Sequence, residues 1–137
     1  MITFDEFINK WKGRYLDFDG RYGYQCVDLM RQYIKEVLQV NPYEIKPAGT
    51  AKQIYRNFTS SPHFIKIPNT PTGVPKKGDI IFWGTYPFVT GFAGHVALFV
   101  EGNVMSFISF DQNWPTGTSC HLQKHSYRGV MGWISPK

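Results

Sequence analysis

The sequence predicts an α+β protein in which N-terminal helices pack on an antiparallel β-sheet. Apolar residues recur at helical spacing in the first third of the 137-residue chain, whereas short β-rich runs separated by Pro and Gly fill the remainder. Helices followed by strands are typical of α+β proteins, because parallel-sheet proteins alternate the two. The length fits a single domain over residues 1–137.

The N-terminal half predicts three helices. Thr3 and Glu6 have the spacing of a capping box, so the first helix begins there and continues to about residue 10. The apolar residues of 26–40 recur at helical spacing, and an Asn-Pro pair ends this second helix. Thr50 is placed to cap a third helix over 51–58.

The C-terminal half predicts strands. The runs rich in Phe, Ile, Val and Trp are 64–67, 79–83, 95–100, 104–110 and 130–134. Glu101-Gly102-Asn103 predicts a tight hairpin turn between the third and fourth of them.

Charge and composition limit the classes of partner. The chain has 15 Lys+Arg against 10 Asp+Glu, a formal net charge of +5, which favours an anionic wall polymer, a membrane surface or nucleic acid. No block of five Lys or Arg occurs, so we expect no nucleic-acid partner. No apolar run approaches the roughly 18–20 residues of a membrane span, and the first residues lack signal-peptide character. We therefore expect no stable membrane insertion. As a separate expectation, the protein is a monomer.

Cys26 and His95 are candidate catalytic residues. Cys26 begins the second predicted helix, where unpaired N–H groups and the helix dipole stabilise a thiolate. His95 follows Gly94 and opens an apolar strand, which would hold its ring rigidly at the edge of a cleft. The alternatives are a small buried cysteine and a structural histidine.

Asp111 and Asn113 are candidates for the group that orients the histidine. Strand alternation places both on one face of a strand that neighbours the histidine strand. An acceptor there would fix the imidazole tautomer, as the third residue of cysteine and serine hydrolases does. The alternative is a polar turn after the strand, and the sequence leaves open which residue contacts His95.

These segments together resemble a known family. Residues 17–29 (DFDGRYGYQCVDL), 75–83 (PKKGDIIFW), 94–97 (GHVA) and 111–114 (DQNW) are similar, in this order, to the motifs of CHAP domains. CHAP domains are the cysteine, histidine-dependent amidohydrolase/peptidase domains of phage endolysins and bacterial wall hydrolases. The resemblance spans about residues 5–135 and implies a papain-like fold that hydrolyses an amide bond of peptidoglycan, as amidase or endopeptidase.

The resemblance also implies roles for individual residues. Cys26 would be the nucleophile and His95 the general base and then acid, with Asn113 or Asp111 orienting the ring. Close phage relatives usually carry Glu where this chain has the shorter Asp111. The helix start would supply oxyanion donors, with the Gln25 side chain near them. Trp114 is a candidate substrate contact.

The same resemblance suggests where the protein acts. It implies a phage lysin that stays in the host cytoplasm until lysis and then reaches the cell wall. We expect residues 1–137 to form a single catalytic domain without the separate wall-binding domain that many relatives carry. The alternative function is a non-catalytic module that binds the wall through basic charge and exposed aromatic side chains.

The segment before Cys26 is a candidate calcium site. Counting from Asp17, the residues Asp17, Asp19, Arg21, Gly23 and Asp28 take positions 1, 3, 5, 7 and 12, and an EF-hand loop takes ligands from these positions. Arg21 could offer only its carbonyl, and position 12 is Asp rather than Glu. Some phage CHAP domains carry calcium in this segment. The alternative is a solvated acidic loop.

Three further patterns have weaker interpretations. Cys120, His121 and His125 could ligate zinc, but they supply three ligands where a structural site needs four. A Cys26–Cys120 disulfide would abolish the nucleophile. Aromatic residues of the loop 86–92 could line a groove for glycan or stem peptide, although most aromatic residues are expected in the core.

Overall fold

The computed structural model describes residues 2–20, 23, 25–85 and 91–137. Its helices come first and its strands second, so the predicted α+β class is confirmed. The helical elements are α1 (Phe4–Trp11), α2 (Cys26–Tyr33), a π-helical segment (Ile34–Leu38) and α3 (Ala51–Asn57).

The described strands form one antiparallel sheet. In chain order they are β1 (Ser60–Ser61), β2 (Phe64–Pro68), β3 (Ile80–Trp83), β4 (His95–Gly102), β5 (Ser106–Asp111), β6 (His121–Ser126) and β7 (Val130–Pro136). Their order across the sheet is β1-β2-β7-β3-β4-β5-β6. The sequence predicted all but β1 and β6, two strands at the sheet edges whose side chains are mostly polar.

The capping residues place the helix starts as predicted. The Thr3 hydroxyl accepts a hydrogen bond from the Glu6 N–H, and the Glu6 carboxylate accepts one from the Thr3 N–H. The helix predicted over 26–40 is α-helical only to Tyr33, continues as a π-helix and ends at Leu38. Gln39 follows in the left-handed conformation with φ of 56°, which terminates the helix two residues earlier than expected.

The hairpin between β4 and β5 turns later than predicted. Glu101 and Gly102 belong to β4, where they pair with Ile108 and Phe107 of β5. The turn is instead closed by Asn103, whose side-chain oxygen accepts hydrogen bonds from the backbone N–H groups of the next residues. An Asn that bonds its own backbone two residues on is a common way to form such a turn.

The central strands are buried on both faces. One face of β3 and β4 carries Phe82, Val96 and Leu98 and belongs to the main core beneath the helices. The opposite face carries Trp83 and Phe99, which belong to a second apolar cluster. This double burial explains the nearly continuous apolar sequences of β3 and β4. Among the described residues, no helix has the length and apolar character that crossing a membrane requires.

Candidate active site

Cys26 is the first residue of α2 and is half-buried. Gln25 precedes it in an extended conformation, and its backbone N–H donates a 2.8 Å hydrogen bond to Oδ2 of Asp28. Asp28 thereby satisfies a backbone donor at the helix start and places a negative charge near the positive end of the helix dipole. This local structure holds the Cys26 side chain at the end of the helix.

His95 begins β4 and lies directly after a glycine that the fold requires. Gly94 has φ of +74°, and a Cβ atom there would lie 2.3 Å from the carbonyl oxygen of Trp83. His95 is buried, and Nε2 of its ring is hydrogen bonded at 2.8 Å to Oδ2 of Asp111. The Cys26 side chain lies close enough to the ring to raise the pKa of His95. Because Nε2 of His95 is hydrogen bonded to Asp111, Nδ1 is the ring nitrogen available to interact with Cys26.

Asp111 is the last residue of β5 and has three hydrogen-bond donors. Its Oδ2 accepts from Nε2 of His95 at 2.8 Å and from Nε2 of His125 at 3.0 Å, and its Oδ1 accepts from the Ser109 hydroxyl at 2.5 Å. The carboxylate is fully buried, so each of these bonds is made in a low-dielectric environment.

The pKa values of His95 and Asp111 are shifted in opposite directions. Burial alone would lower the pKa of His95, but its hydrogen bonds with Asp111 and Cys26 outweigh burial and raise the pKa to about 9. Burial alone would raise the pKa of Asp111, but hydrogen bonds from His125 and His95 outweigh it and lower the pKa to about 2. At neutral pH the pair is therefore imidazolium and carboxylate.

Asn113 does not make the contact that sequence alternation allowed for it. Strand β5 ends at Asp111, and Asn113 lies beyond it in the left-handed conformation with φ of 67°. Its side-chain oxygen accepts a 2.6 Å hydrogen bond from the N–H of Gly117 and so closes the following turn. The period-2 rule fails here because it applies only within a strand.

Two indole rings pack against the imidazole of His95. The ring centroids of Trp114 and Trp83 lie 4.7 Å and 5.1 Å from that of His95. Trp114 is half-buried, so the candidate substrate contact is also part of the wall around the histidine.

Gln112 is a site residue that the sequence analysis missed. Its side chain is fully buried, and Nε2 donates 2.8 Å hydrogen bonds to the carbonyl oxygens of both Leu16 and Gln25. Its Oε1 accepts a 2.7 Å hydrogen bond from the Leu16 N–H. The end of β5 thus holds the segment leading to Cys26. No local pattern indicated this role, because Gln112 lies beyond the end of β5 and its partners are 96 and 87 residues away in the sequence.

A groove of about 450 Å³ runs past the Cys26 side chain. Its lining includes residues from the segment before α2, from α2 itself, from the chain before α3 and from the start of β4: Asp19, Cys26, Arg31, Tyr43, Thr50 and Gly94. The nucleophile candidate therefore faces a cavity large enough for a peptide segment or sugar unit. Of the predicted aromatic loop, residues 86–90 lie outside the described residues, and Phe92 is 86% exposed.

Asp17, Asp19 and Asp28 converge beside this groove. One carboxylate oxygen from each lies within 4.8 Å of the others. Burial raises the pKa of Asp28 to about 6, and the negative charges of Asp19 and Asp17 add to this effect against the hydrogen bond from Gln25. Oxygen ligands surround Ca²⁺ at about 2.3–2.6 Å, so two ligands on opposite sides of one ion are about 5 Å apart. The cluster therefore has the size and charge for calcium.

The other two predicted calcium ligands are Arg21 and Gly23. Arg21 lies outside the described residues, and Gly23 is exposed with φ of +70°. That positive φ favours glycine at this position and lets the chain turn between the acidic residues and the helix.

The zinc and disulfide alternatives do not agree with the structure. Both cysteines are free, and Cys120 is fully buried in the main core. Its thiol faces Gln112, whereas the ring of His121 bonds to Ser119 and Gln123. His125 bonds to the buried carboxylate of β5, so the three proposed zinc ligands have separate partners.

Comparison with known proteins identifies the family to which the chain belongs. A model of the family described as the CHAP domain matches residues 15–113, which is more than half of the chain and includes Cys26, His95 and Asp111. The chain belongs to the CHAP domain family. The resemblance inferred from the four motifs is therefore confirmed.

This CHAP domain is similar to parts of phage endolysins. It is 34% identical over 130 residues to endolysin PlyTW of Staphylococcus phage Twort, covering 88% of the chain and 26% of PlyTW. It is 33% identical over 101 residues to endolysin LysK of Staphylococcus phage K, covering 72% of the chain and 19% of LysK. The chain thus spans 26% of the length of PlyTW and 19% of that of LysK.

Solved structures show the same fold. The crystal structure of the wild-type endolysin LysIME-EF1 matches with a TM-score of 0.77 at 27% identity, covering 99% of this CHAP domain and 65% of that chain. The crystal structure of Ly7917 matches with a TM-score of 0.69 at 16% identity, covering 98% of this CHAP domain and 62% of that chain. The crystal structure of Ly7917 with the hydrolyzing product of MDP matches with a TM-score of 0.70 at 15% identity, covering 95% and 60%. At this identity, Ly7917 supports the fold alone.

Proposed function

We propose that this CHAP domain hydrolyses an amide bond of bacterial peptidoglycan, as amidase or endopeptidase, within a phage lysin that acts on the wall after release from the host cytoplasm. The observation that carries the proposal is that Cys26 lies beside His95, which is hydrogen bonded to Asp111, at the edge of the groove. Nucleophile, base and orienting acid in contact are the arrangement of cysteine hydrolases. The endolysin relatives supply the substrate class.

The proposed reaction begins with attack by the Cys26 thiolate on the carbonyl carbon of the amide. The carbonyl electron pair moves to oxygen, and backbone N–H groups at the start of α2 stabilise the resulting oxyanion, with Gln25 next to them. His95, charged in the resting pair, gives its Nδ1 proton to the leaving amine as the C–N bond breaks. A thioester on Cys26 and a neutral imidazole remain.

Water completes the proposed cycle. The neutral His95 removes a proton from water, the hydroxide attacks the thioester carbonyl, and the C–S bond breaks to release the carboxylic acid and the Cys26 thiolate. Asp111 holds the ring throughout by accepting the Nε2 hydrogen bond at 2.8 Å, and it stabilises each imidazolium that forms. The carboxylate itself takes no proton in this scheme.

We also propose that the carboxylates of Asp17, Asp19 and Asp28 hold a structural calcium ion. The ion would supply positive charge to three like-charged groups whose oxygens lie within 4.8 Å of one another. Asp28 uses Oδ2 to bind the N–H of Gln25, which leaves Oδ1 for a metal. This carboxylate would therefore connect the acidic cluster to the residue that precedes Cys26.

Substitution of the nucleophile tests the proposed hydrolysis. Purified peptidoglycan is incubated with the wild type, Cys26→Ala and Cys120→Ala, and the amino groups and peptides released are quantified by mass spectrometry. We expect release by the wild type and by Cys120→Ala and none by Cys26→Ala, with circular dichroism confirming the fold of each. The masses identify the bond. Equal release by Cys26→Ala would contradict the covalent mechanism, and binding of the wild type to the peptidoglycan without any bond cleavage would support wall binding alone.

A further inference from the structure

His125 shares a carboxylate oxygen with the candidate catalytic histidine. Nε2 of His125 lies 3.0 Å from Oδ2 of Asp111, the same atom that accepts the hydrogen bond from Nε2 of His95. His125 lies on the edge strand β6, opposite Phe107 of β5, and it is buried. The proposed reaction uses His95 and Asp111 but has so far given His125 no role.

We propose that His125 is a positioning residue, which holds the Asp111 carboxylate in the orientation that keeps His95 directed at Cys26. This inference rests on the proposed amide hydrolysis and adds to it a fourth residue from a separate strand. In the part of the chain that the structure describes, His125 does not line the groove, and its ring binds Asp111, so we expect its effect to pass through that carboxylate.

The hydrogen bonds around Asp111 show how this works. The Ser109 hydroxyl binds Oδ1, and His125 binds Oδ2, so the carboxylate is fixed from both β5 and β6 independently of His95. A carboxylate held at both oxygens cannot rotate about its Cβ–Cγ bond. The lone pair of Oδ2 that faces His95 therefore keeps its direction when His95 gives up and regains its proton.

The surroundings of His125 favour this role over simple packing. Its ring lies among aromatic rings, with centroid distances of 4.7 Å to Trp83, 4.6 Å to Trp114 and 5.4 Å to Phe107. An apolar side chain would fill such a position without the cost of burying a polar ring. The imidazole instead provides an N–H donor at the one carboxylate that orients the catalytic base.

The test compares two amides of different reach. In His125→Gln the side-chain amide nitrogen lies near the former Nε2 position and can donate to Asp111, whereas in His125→Asn the same amide is one methylene shorter. His125→Phe removes the donor and keeps an aromatic ring. His121→Gln is the matched control, because His121 lies on the same strand and bonds to Ser119 and Gln123 instead.

Two rates are measured for each variant that circular dichroism shows to be folded: cleavage of purified peptidoglycan, and alkylation of Cys26 by iodoacetamide from pH 5 to 10. We expect His125→Asn and His125→Phe to lower the cleavage rate roughly 10- to 100-fold, the range typical of residues that orient an active-site ligand. Their alkylation profiles should also shift in pH. His125→Gln and His121→Gln should stay within about threefold of the wild type.

The outcomes separate this proposal from the proposed function. Wild-type cleavage with an unchanged alkylation profile in His125→Asn or in His125→Phe would overturn the positioning role, as would a His125→Gln variant as impaired as His125→Asn. A purely structural role would lower the melting temperature and leave the alkylation profile of folded protein unchanged. If the wild type cleaves no peptidoglycan, the proposed function fails, but the alkylation profiles still decide the role of His125.

Discussion

Replacing Gln112 with alanine should destabilise the protein and loosen the segment that leads to Cys26. The substitution removes two hydrogen bonds donated to the carbonyl oxygens of Leu16 and Gln25 and one accepted from the Leu16 N–H. Gln112 is fully buried, so these backbone groups would lose their partners away from solvent. Each buried group left without a partner costs about 1–3 kcal/mol.

The expected loss in the free energy of unfolding is about 3–5 kcal/mol, if each of the three backbone groups contributes near the lower end of its range. A change of that size is a large part of the roughly 5–15 kcal/mol that stabilises a typical domain. It should lower the melting temperature by about 10 °C or more in a protein of this length. Urea unfolding followed by far-ultraviolet circular dichroism measures the free energy directly.

Gln123→Ala is the matched control. Gln123 lies on β6 and is half-buried, and its amide bonds to the neighbouring Lys124 carbonyl. We expect this variant to stay within about 1 kcal/mol of the wild type. Equal stabilities for Gln112→Ala and Gln123→Ala would refute the argument that Gln112 holds the two segments together.

Three further predictions concern the ionisable groups. Asp111→Asn should lower the rate of peptidoglycan cleavage by at least about 100-fold, because the amide cannot stabilise an imidazolium at His95. The exposed Asp5→Asn variant is its control, and equal cleavage rates for the two variants would exclude Asp111 from the mechanism. The His95 pKa is raised from 6.5 to about 9, so its stabilising contribution is full below pH 6.5 and is lost as pH rises through 9. Melting temperature and cleavage rate should both fall over this interval, and a melting temperature that falls equally in Asp111→Asn would contradict this assignment. Calcium at 100 times its dissociation constant should add about 2.7 kcal/mol to the free energy of unfolding, and excess chelator should remove this gain. The acidic cluster would be excluded as the site if neither calcium nor chelator changed the melting temperature of the wild type. It would also be excluded if Asp17→Asn were still stabilised by calcium.

The sequence allowed the elements with strong local signals to be predicted. The Thr3 cap, the start of α2 at Cys26 and the apolar strands β3 and β4 each depend on nearby residues, and the structure contains all of them. The α+β class followed from the order of these elements. The CHAP motifs then identified the family, because four short segments occur in a fixed order.

The contacts between distant segments could not be predicted in the same way. Gln112 lies 96 residues from Leu16, and the pairing of β6 with β5 that brings His125 to Asp111 depends on the whole sheet. The edge strands β1 and β6 gave little signal in the sequence, because an edge strand need not be buried on both faces and can carry polar side chains. Asn113 was a candidate by the resemblance and by strand alternation, and the latter did not apply because β5 ends at Asp111, a limit that the sequence could not locate to a single residue.

The aromatic environment of His95, the candidate catalytic histidine, has a consequence for spectroscopy. Trp83 and Trp114 lie with ring centroids 5.1 Å and 4.7 Å from His95. A protonated imidazole in contact with an indole quenches its fluorescence by accepting an electron from the excited ring, whereas the neutral form does so weakly. The fluorescence intensity of these two tryptophans should therefore increase as His95 deprotonates. Intrinsic fluorescence would then report the charge of His95 without any substrate.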